Sequence, residues 1–229
     1  MEKDLQDMLL AAGAALVGVA DLESLEPAAA GYRRAVSLAV TLNPSVVAGI
    51  PGGPHWDYSD EYNAVNARLD ALALKAESWL LARGHESRAV TVARAPYERG
   101  SWRTALPHKT VARLAGLGWI GKSALLITPQ FGGAQRLTTV LTRAPLAPGR
   151  PLEGFGCGRC GRCRDICPGQ AISGAVWREG LERGALFQAP KCQAALDARG
   201  ELLKGTSAAC GLCLAVCPYT RRFLRRAAL

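Results

Sequence analysis

The chain has 229 residues, with 28 basic side chains, 19 acidic side chains, eight cysteines and a formal net charge of +9. This length allows one large domain or two smaller ones, each with its own hydrophobic core. The N-terminal residues 1–23 combine acidic side chains with one short apolar run, which is typical of neither a signal peptide nor a membrane-spanning helix. We therefore expect a cytoplasmic protein with reduced thiols and no membrane partner.

The positive charge is concentrated in the later part of the chain. Residues 1–98 carry a net charge of −5, whereas residues 99–153 and residues 154–229 carry +7 each. The basic segments lack interleaved aromatic residues and any nucleic-acid-binding motif, so nucleic acid is not an expected partner. Near the C-terminus four arginines have a spacing that places them on one side of a helix, where they are either solvated or a docking face for an acidic electron donor or substrate. These arginines are Arg221, Arg222, Arg225 and Arg226.

The first part of the chain predicts two helices and two strands. An opening helix is expected over residues 2–13, a short strand over 14–21 and a buried strand over 33–42. Turn-rich sequence follows at 47–54, and the adjoining residues 55–58 are a candidate ligand lid. From Tyr58 onward, apolar side chains recur at alternating spacings of four and three, which predicts a long amphipathic helix that ends near Gly84.

The next stretch continues the alternation of strands and helices. The predicted elements are a strand over 88–93, a helix over 107–115, and strands over 123–128 and 136–142 that form a hairpin or lie as parallel neighbours. This alternation predicts an α+β fold, an α/β sandwich, for an N-terminal domain of residues 1–150 that binds the cofactor or substrate. A Pro/Gly-rich segment at 145–151 marks the boundary with a second domain, residues 151–229.

Seven of the eight cysteines lie in two runs of the second domain. The first run, Cys157 to Pro168, has the spacing C-x2-C-x2-C-x3-C-P, and the second run, Cys210 to Pro218, repeats its later part. This spacing resembles the bacterial ferredoxin run, in which three thiolates bind one [4Fe–4S] cluster and the fourth binds the other cluster. The second run has Ser207 in place of its first cysteine, and Cys192 is the one cysteine outside both runs.

The ferredoxin pattern implies two crossed ligand sets, which we name the first and the second cysteine set. The first set is Cys157, Cys160, Cys163 and Cys217. The second set is Cys167, Cys192, Cys210 and Cys213. Disulfides and a pair of zinc sites are the alternatives, but disulfides require an oxidising compartment, and zinc requires neither a third closely spaced cysteine nor the C-P ending. We therefore predict a C-terminal bacterial-ferredoxin-like domain with two [4Fe–4S] clusters.

A glycine-rich loop, GLGWIGK at residues 116–122, matches G-x-G-x-x-G literally. The dinucleotide-binding fingerprint follows a strand and begins a helix, and an acidic residue occurs roughly 20 residues later in the chain. Here a predicted helix precedes the loop, a predicted strand follows it, and no acidic residue occurs between Glu98 and Glu153. The context therefore argues against a Rossmann nucleotide site.

The stretch AGLGWIGKSALLITPQFG, followed by a strand, a Pro/Gly-rich segment and the crossed cysteines, resembles the epoxyqueuosine reductase family and its short iron–sulfur relatives. The resemblance runs from about residue 106 to residue 219. It implies an N-terminal α/β domain that holds a cobalamin and receives electrons from the two clusters, with the glycine loop beside the corrin. The loop residues that it places near the cofactor are Gly116, Gly118, Trp119, Gly121 and Lys122.

Two departures from the family pattern concern the substrate. Epoxyqueuosine reductases continue into a helical-repeat domain that contacts tRNA, whereas this chain ends twelve residues after Cys217. They also have an aspartate, the proposed proton donor, shortly before the glycine loop, whereas residues 101–109 contain no carboxylate. His108 is either the titratable group that replaces this carboxylic acid or an ordinary surface histidine. The departures argue against action on epoxyqueuosine in tRNA.

Two functions follow from these observations. The first is an iron–sulfur oxidoreductase in which the clusters relay electrons to a cobalamin, or alternatively a flavin, that reduces a small-molecule substrate in the N-terminal domain. The second is a non-enzymatic electron-transfer or reductive-activation protein that serves a partner enzyme. Both require an electron donor, and an acidic protein of the ferredoxin or flavodoxin type fits the basic C-terminal region.

Overall fold

The computed structural model describes residues 1–25, 29–52, 56–91, 94, 104–154, 156–198 and 210–228. The α-helices are α1 (Glu2–Ala11), α2 (Pro44–Gly49), α3 (Trp56–Leu81), α4 (His108–Leu114), α5 (Arg162–Asp165), α6 (Arg183–Leu186), α7 (Ala189–Ala198), α8 (Leu212–Ala215) and α9 (Pro218–Ala227). The strands are β1 (Leu16–Asp21), β2 (Arg34–Thr41), β3 (Ser87–Val90), β4 (Trp119–Ile120), β5 (Leu126–Ile127) and β6 (Gln135–Thr142). None of the described helices has the length and apolar character that crossing a membrane requires.

The chain divides into two compact units, each built from several stretches of sequence. Unit 1 comprises Met1–Thr41, Ala64–Gly118 and Gln135–Glu153. Unit 2 comprises Leu42–Asn63, Trp119–Ala134 and Gly154–Leu229. The chain passes from unit 1 to unit 2 for the last time after Glu153, which lies near the predicted boundary at residue 150. Residues 42–63 and 119–134, however, pack with the cysteine-bearing part of the chain.

Contacts around Gly211 illustrate why unit 2 recruits an early stretch of the chain. A Cβ atom at Gly211 would come within 2.9 Å of the Ile50 side chain and 3.0 Å of the Tyr58 ring. Ile50 and Tyr58 precede Gly211 by more than 150 residues, so sequence position does not reveal the contact. The functional assignment of residues 1–150 and 151–229 stays a prediction.

Unit 1 is built on a four-stranded antiparallel sheet with the strand order β1-β2-β6-β3. Six consecutive residues of β2 are buried, which requires that both faces of the sheet be covered. The strands predicted at 14–21, 33–42 and 136–142 are confirmed within a few residues. The strand predicted at 88–93 is observed as far as Val90, and residues 92 and 93 lie outside the described part of the chain. Unit 1 is therefore an α+β structure in which helices pack with an antiparallel sheet.

Among the described contacts with this sheet are those of α1 and α4. α1 contacts β1, and α4 contacts β1, β2 and β6. Under α4, Val111 and Ala115 share a buried apolar cluster with sheet residues that include Ala35 and Leu141. The Pro/Gly-rich segment after β6 also belongs to this unit, because Gly149 N donates to Val19 O at 2.8 Å. This segment, predicted as a boundary, is thus packed along β1.

α3 confirms the predicted long amphipathic helix. The division between the units falls within it, after Asn63. Its buried side chains in unit 1 recur at spacings close to the helical repeat, and they are Val65, Leu69, Leu72, Ala73, Ala76 and Leu80. Gly84 follows the helix with φ of +81°, a conformation that favours glycine at a helix end.

The prediction of a loop at residues 47–54 is wrong in part. Residues 44–49 form α2 and residues 50–52 a 3₁₀ turn, while 53–55, including the candidate lid residue His55, lie outside the described residues. The Asn43 side chain accepts a hydrogen bond from Ser45 N at 3.0 Å, and Pro44 occupies the first helical position. An Asn cap followed by proline is a helix-start signal, so the helix is detectable from sequence.

The two strands predicted at 123–128 and 136–142 are not neighbours. β5 pairs with β4 in a two-stranded sheet of unit 2, whereas β6 belongs to the sheet of unit 1. The turn after β5 is instead packed against the start of α9. A Cβ atom at Gly132, where φ is +60°, would collide with Thr220 N, and Gly133 N donates to Thr220 Oγ1 at 3.0 Å.

Candidate metal centres

All eight cysteines lie in unit 2, and each is a partly buried free thiol. Short helices present several of them: Cys163 lies in α5, Cys192 in α7 and Cys213 in α8, and Cys217 is the N-cap of α9. Gly211, in the left-handed conformation with φ of +69°, precedes α8 and turns the chain between Cys210 and Cys213. The cysteines are thus held by ordered backbone.

The first cysteine set is brought together in the structure. Burial is the main cause that raises the pKa of Cys163 to about 11, followed by the thiol of Cys157 and then by those of Cys160 and Cys217. Burial also raises the pKa of Cys217, which interacts electrostatically with Cys157. Electrostatic interactions between thiols weaken with distance, so the four predicted ligands of the first set lie near one another. Four thiolates are the donor set of a [4Fe–4S] cluster.

The second cysteine set forms a neighbouring group. Burial, and then the thiols of Cys210 and Cys167, raise the pKa of Cys192 to about 11. Burial likewise raises the pKa of Cys213, on which Cys210, Cys192 and Cys167 also act. Cys163 of the first set acts on Cys213 as well, so the two groups are adjacent. The thiol of Cys192 thus lies near those of Cys167, Cys210 and Cys213, and its role as the fourth ligand of the second set stays a prediction.

Lys122 lies against the first cysteine run. Its ammonium Nζ donates to the backbone oxygen of Gly158 at 3.0 Å and to that of Cys160 at 3.1 Å, and the residue is only 9% exposed. These bonds tie the loop between the first two cysteines to the residues after β4. A buried positive charge at this position also opposes the net charge of about −2 of a [4Fe–4S]²⁺ cluster with four thiolates.

The neighbourhood of Trp119 contains an unsatisfied donor that fits a bound cluster. The Trp119 ring packs edge-to-face on Tyr219, with centroids 4.9 Å apart, and a Cβ atom at Gly156 would collide with it. Its indole Nε1–H is buried and has no hydrogen-bond partner among the described residues. Buried N–H groups are rarely left unpaired, so an acceptor such as a cluster sulfur or cysteine thiolate suits this position.

The glycines of the loop are required by the chain's own packing. Gly116 has φ of +76°, and a Cβ atom there would collide with the backbone oxygen of Arg150. A Cβ atom at Gly121 would lie 2.7 Å from Ile127. Gly116 and Gly118 belong to unit 1, and residues 119–122 belong to unit 2. Close packing thus explains two of the glycines, and the role of this loop beside a second cofactor stays a prediction.

His108, the first residue of α4, is bonded to the sheet of unit 1. Its Nδ1 lies 2.8 Å from Thr139 Oγ1 on β6. Burial, and then the positive charge of Arg136, lower the pKa of His108 to about 4. The imidazole is therefore neutral near pH 7, which counts against its predicted role as a proton donor. The preceding residues 101–103 lie outside the described part of the chain.

Comparison with known families identifies the cysteine-bearing region. Residues 156–220 match the model of the 4Fe-4S double cluster binding domain. This double-cluster domain includes all eight cysteines, which confirms two [4Fe–4S] clusters as cofactors in place of zinc or disulfides. Lys122, which bonds to the first cysteine run, lies outside this domain, and no sequence signal connects it to the cysteines.

Curated relatives confirm the resemblance to epoxyqueuosine reductases. The epoxyqueuosine reductase of Lactococcus garvieae is 32% identical over 117 residues, which cover 51% of this chain and 33% of that protein. The tetrachloroethene reductive dehalogenase of Sulfurospirillum multivorans is 39% identical over 114 residues, 47% of this chain and 22% of that protein. The matched region thus spans about a third or less of these relatives.

Solved structures of the same two kinds share the fold. An epoxyqueuosine reductase from Streptococcus thermophilus superposes with a TM-score of 0.62 and 20% identity, over 96% of this chain and 66% of that one. A reductive dehalogenase, whose structure is described as suggesting a mechanism for B12-dependent dehalogenation, gives 0.76 and 22% over 98% of this chain and 33% of that one. The similarity of fold therefore extends over both units.

The lowered pKa of His108 predicts a loss of stability in mild acid. Unfolding returns the imidazole to its ordinary pKa of about 6.5, so the unfolded chain binds an extra proton between that pH and about 4. The contribution of His108 to the unfolding free energy is full above pH 6.5 and decreases by about 1 kcal/mol at pH 5.5 and about 3 kcal/mol near pH 4.

Urea unfolding of the wild type and of His108→Gln at a series of pH values measures this contribution. We expect the difference in unfolding free energy between the two proteins to change with pH over that window. The subtraction removes the acid sensitivity of the clusters and of other groups. A pH-independent difference would show that His108 titrates normally.

Proposed function

We propose that the chain is an iron–sulfur oxidoreductase that passes electrons through its double-cluster domain to a cofactor or substrate in the N-terminal domain. The observation that carries this proposal is the match of residues 156–220 to the 4Fe-4S double cluster binding domain, and the interactions among the thiols of the two predicted sets support it. Two adjacent clusters can pass electrons from one to the other, whereas a single cluster would be enough to stabilise a fold. The curated relatives described above are named as an epoxyqueuosine reductase and a reductive dehalogenase.

The residues around the first cysteine set have separate tasks in this proposal. When bound, the clusters supply one-electron transfer. The eight thiolates hold them, Lys122 holds the loop that carries Cys157 and Cys160, and Trp119 offers a buried N–H donor. Hydrogen bonds and nearby positive charge favour the reduced, more negative state of a cluster, so Lys122 and Trp119 are expected to raise its reduction potential.

A cobalamin as electron acceptor is supported by the B12-dependent mechanism ascribed to the related dehalogenase structure. The glycine loop does not by itself provide a binding site for a cobalamin. Other residues of the chain occupy the space beside Gly116 and Gly121, and the Lys122 ammonium is bonded to the loop between Cys157 and Cys160. We therefore assign no step of the reaction to a cobalamin, and a flavin stays the alternative acceptor.

The substrate in this proposal is a small molecule, reduced in the cytoplasm. One solved epoxyqueuosine reductase was crystallised with an epoxyqueuosine-modified tRNA stem loop, so related enzymes bind modified tRNA. This chain has no carboxylate in residues 101–109, where the family has its proposed proton donor, and His108 has too low a pKa to replace it. These differences favour a substrate other than epoxyqueuosine in tRNA.

Anaerobic purification followed by metal and cofactor analysis tests the proposal. We expect about eight irons per chain, absorption and EPR spectra of two cubanes, and cobalt retained after incubation with hydroxocobalamin. Flavin is measured in the same samples. Two clusters with no affinity for a corrinoid or a flavin would instead favour an electron-transfer protein that serves a partner enzyme. Zinc in place of iron would contradict both functions.

A further inference from the structure

Unit 2 contains a groove that no part of the proposed relay uses. It has a volume of about 630 Å³ and is bordered by three exposed arginines, Arg162, Arg221 and Arg225. Its floor is apolar and includes Val47 and Leu224. We name this site the arginine groove.

The arginine groove is built by helices that pack on one another. α2 contributes Val47 and Ala48, and α9, which contacts α2, contributes Arg221 and Arg225 one helical turn apart. The other two arginines of α9 do not line the groove, and Arg222 lies over the Tyr219 ring, 5.1 Å from its centroid. All four C-terminal arginines lie in α9, where their spacing places them on one side, and Arg221 and Arg225 of this set line the groove.

The groove lies beside the segments that hold the first cysteine set. Arg162 directly precedes Cys163, and Pro218, which also lines the groove, directly follows Cys217. A molecule in the groove therefore contacts the chain within one residue of two cluster ligands. The nearby carboxylate of Asp165 does not cancel the charge of Arg162 by itself, because it is paired with Arg164 at 2.8 Å.

The charges and the floor together indicate the occupant. Guanidinium groups are weakly hydrated and bind carboxylates in a bidentate manner, and an apolar floor accepts the aliphatic parts of a protein surface. Complexes between redox proteins are guided by charge, which agrees with three arginines around one groove. We propose that the arginine groove docks an acidic one-electron donor protein of the ferredoxin or flavodoxin type.

This proposal rests on the proposed function, because it assumes that the clusters accept electrons. The donor loses one electron, the oxidised double-cluster domain gains it, and no bond or proton is transferred. Docking beside Cys163 and Cys217 makes the first cysteine set the entry point.

Stopped-flow reduction of the full-length holoprotein by a reduced, purified plant-type [2Fe–2S] ferredoxin tests the groove. The double variant Arg221→Ala/Arg225→Ala removes two groove charges, and Arg178→Ala/Arg226→Ala removes two exposed charges of unit 2 outside the groove. We expect the second-order rate constant to decrease at least tenfold in the first variant and less than twofold in the second. The salt dependence should weaken in the first variant only.

Reduction by photoreduced deazaflavin, which needs no docking, separates the possible failures. Equal deazaflavin rates and equal iron contents in all proteins, together with the difference in ferredoxin rates, support the groove. Equal ferredoxin rates in the two variants would overturn it and leave the relay intact. Saturable binding of inorganic phosphate in the groove without an effect on ferredoxin rates would also overturn it, in favour of a small-anion site. A wild type that deazaflavin fails to reduce contradicts the proposed function itself.

Discussion

Replacing Cys163 and Cys217 together by alanine is expected to remove one cluster and leave the other. Both residues belong to the first cysteine set, although they lie in different runs. The iron content should therefore fall from about eight to about four per chain. Replacing Cys163 and Cys167, which are close in sequence but belong to different sets, should impair both sites and bring the iron content well below four.

Each double variant removes two thiols and shares the Cys163 substitution, so they form a matched pair. Iron and sulfide analysis after anaerobic reconstitution gives the stoichiometry, and EPR of the reduced proteins shows whether the magnetic coupling between two clusters is replaced by the signal of one. Equal iron contents in the two variants would contradict the crossed arrangement. Cys192→Ala should lose iron as Cys213→Ala does, since both thiols serve the second set.

Lys122→Met is expected to loosen the first cluster site. The substitution removes two charge-assisted hydrogen bonds, to Gly158 O and Cys160 O, and leaves both oxygens beside an apolar side chain. Hydrogen bonds to charged groups contribute about 1.5–3 kcal/mol each, so a loss of about 3 kcal/mol in the stability of this loop is reasonable. That loss corresponds to roughly a hundredfold faster opening of the loop.

Release of iron to a chelator under anaerobic conditions measures this effect. The first phase of release, from the cluster beside Lys122, should accelerate by one to two orders of magnitude, while the phase from the other cluster changes little. Lys75→Met makes the same chemical change at an exposed position of α3 and serves as the control. If both variants release iron at the wild-type rate, the two hydrogen bonds do not hold the site together.

The cysteine sets were predictable because cluster ligation is a local property. Thiols three residues apart on a tight loop reach corners of one cubane, and a cysteine four residues further along points to another. The pairing of the sets then follows from the repeat of the pattern. Cys192 was assigned because it is the one cysteine outside both runs, and its place in the second set stays a prediction, although its thiol interacts with those of Cys210 and Cys167.

The glycine loop shows where the sequence was ambiguous. A run such as GLGWIGK is equally suited to a bound cofactor and to close contact between backbone segments, because both require the absence of a side chain. In the structure, Arg150 and Ile127 occupy the space beside Gly116 and Gly121. These neighbours lie on later segments of the chain, so their approach depends on the folded arrangement.

Polar contacts between residues far apart in the chain could not be predicted from the sequence either. Lys122 bonds to carbonyls 36 and 38 residues away, and Arg162 lines the same groove as Arg221 and Arg225 although α5 and α9 are far apart in sequence. A lysine or an arginine has the same local pattern whether it is solvated or bound. Its partner is therefore set by packing, which no short motif encodes.

The spacing of the cysteines alone thus determined the two clusters and predicted their ligands, and apolar periodicity determined most helices and strands of unit 1. The tertiary structure decided that residues 42–63 and 119–134 join the cysteine-bearing unit, that β5 pairs with β4, and that Lys122 and the arginine groove border the first cysteine set. The physical reason is one of range. Ligand spacing and helical period act within a few residues, whereas burial and charge bring together residues that the sequence keeps far apart.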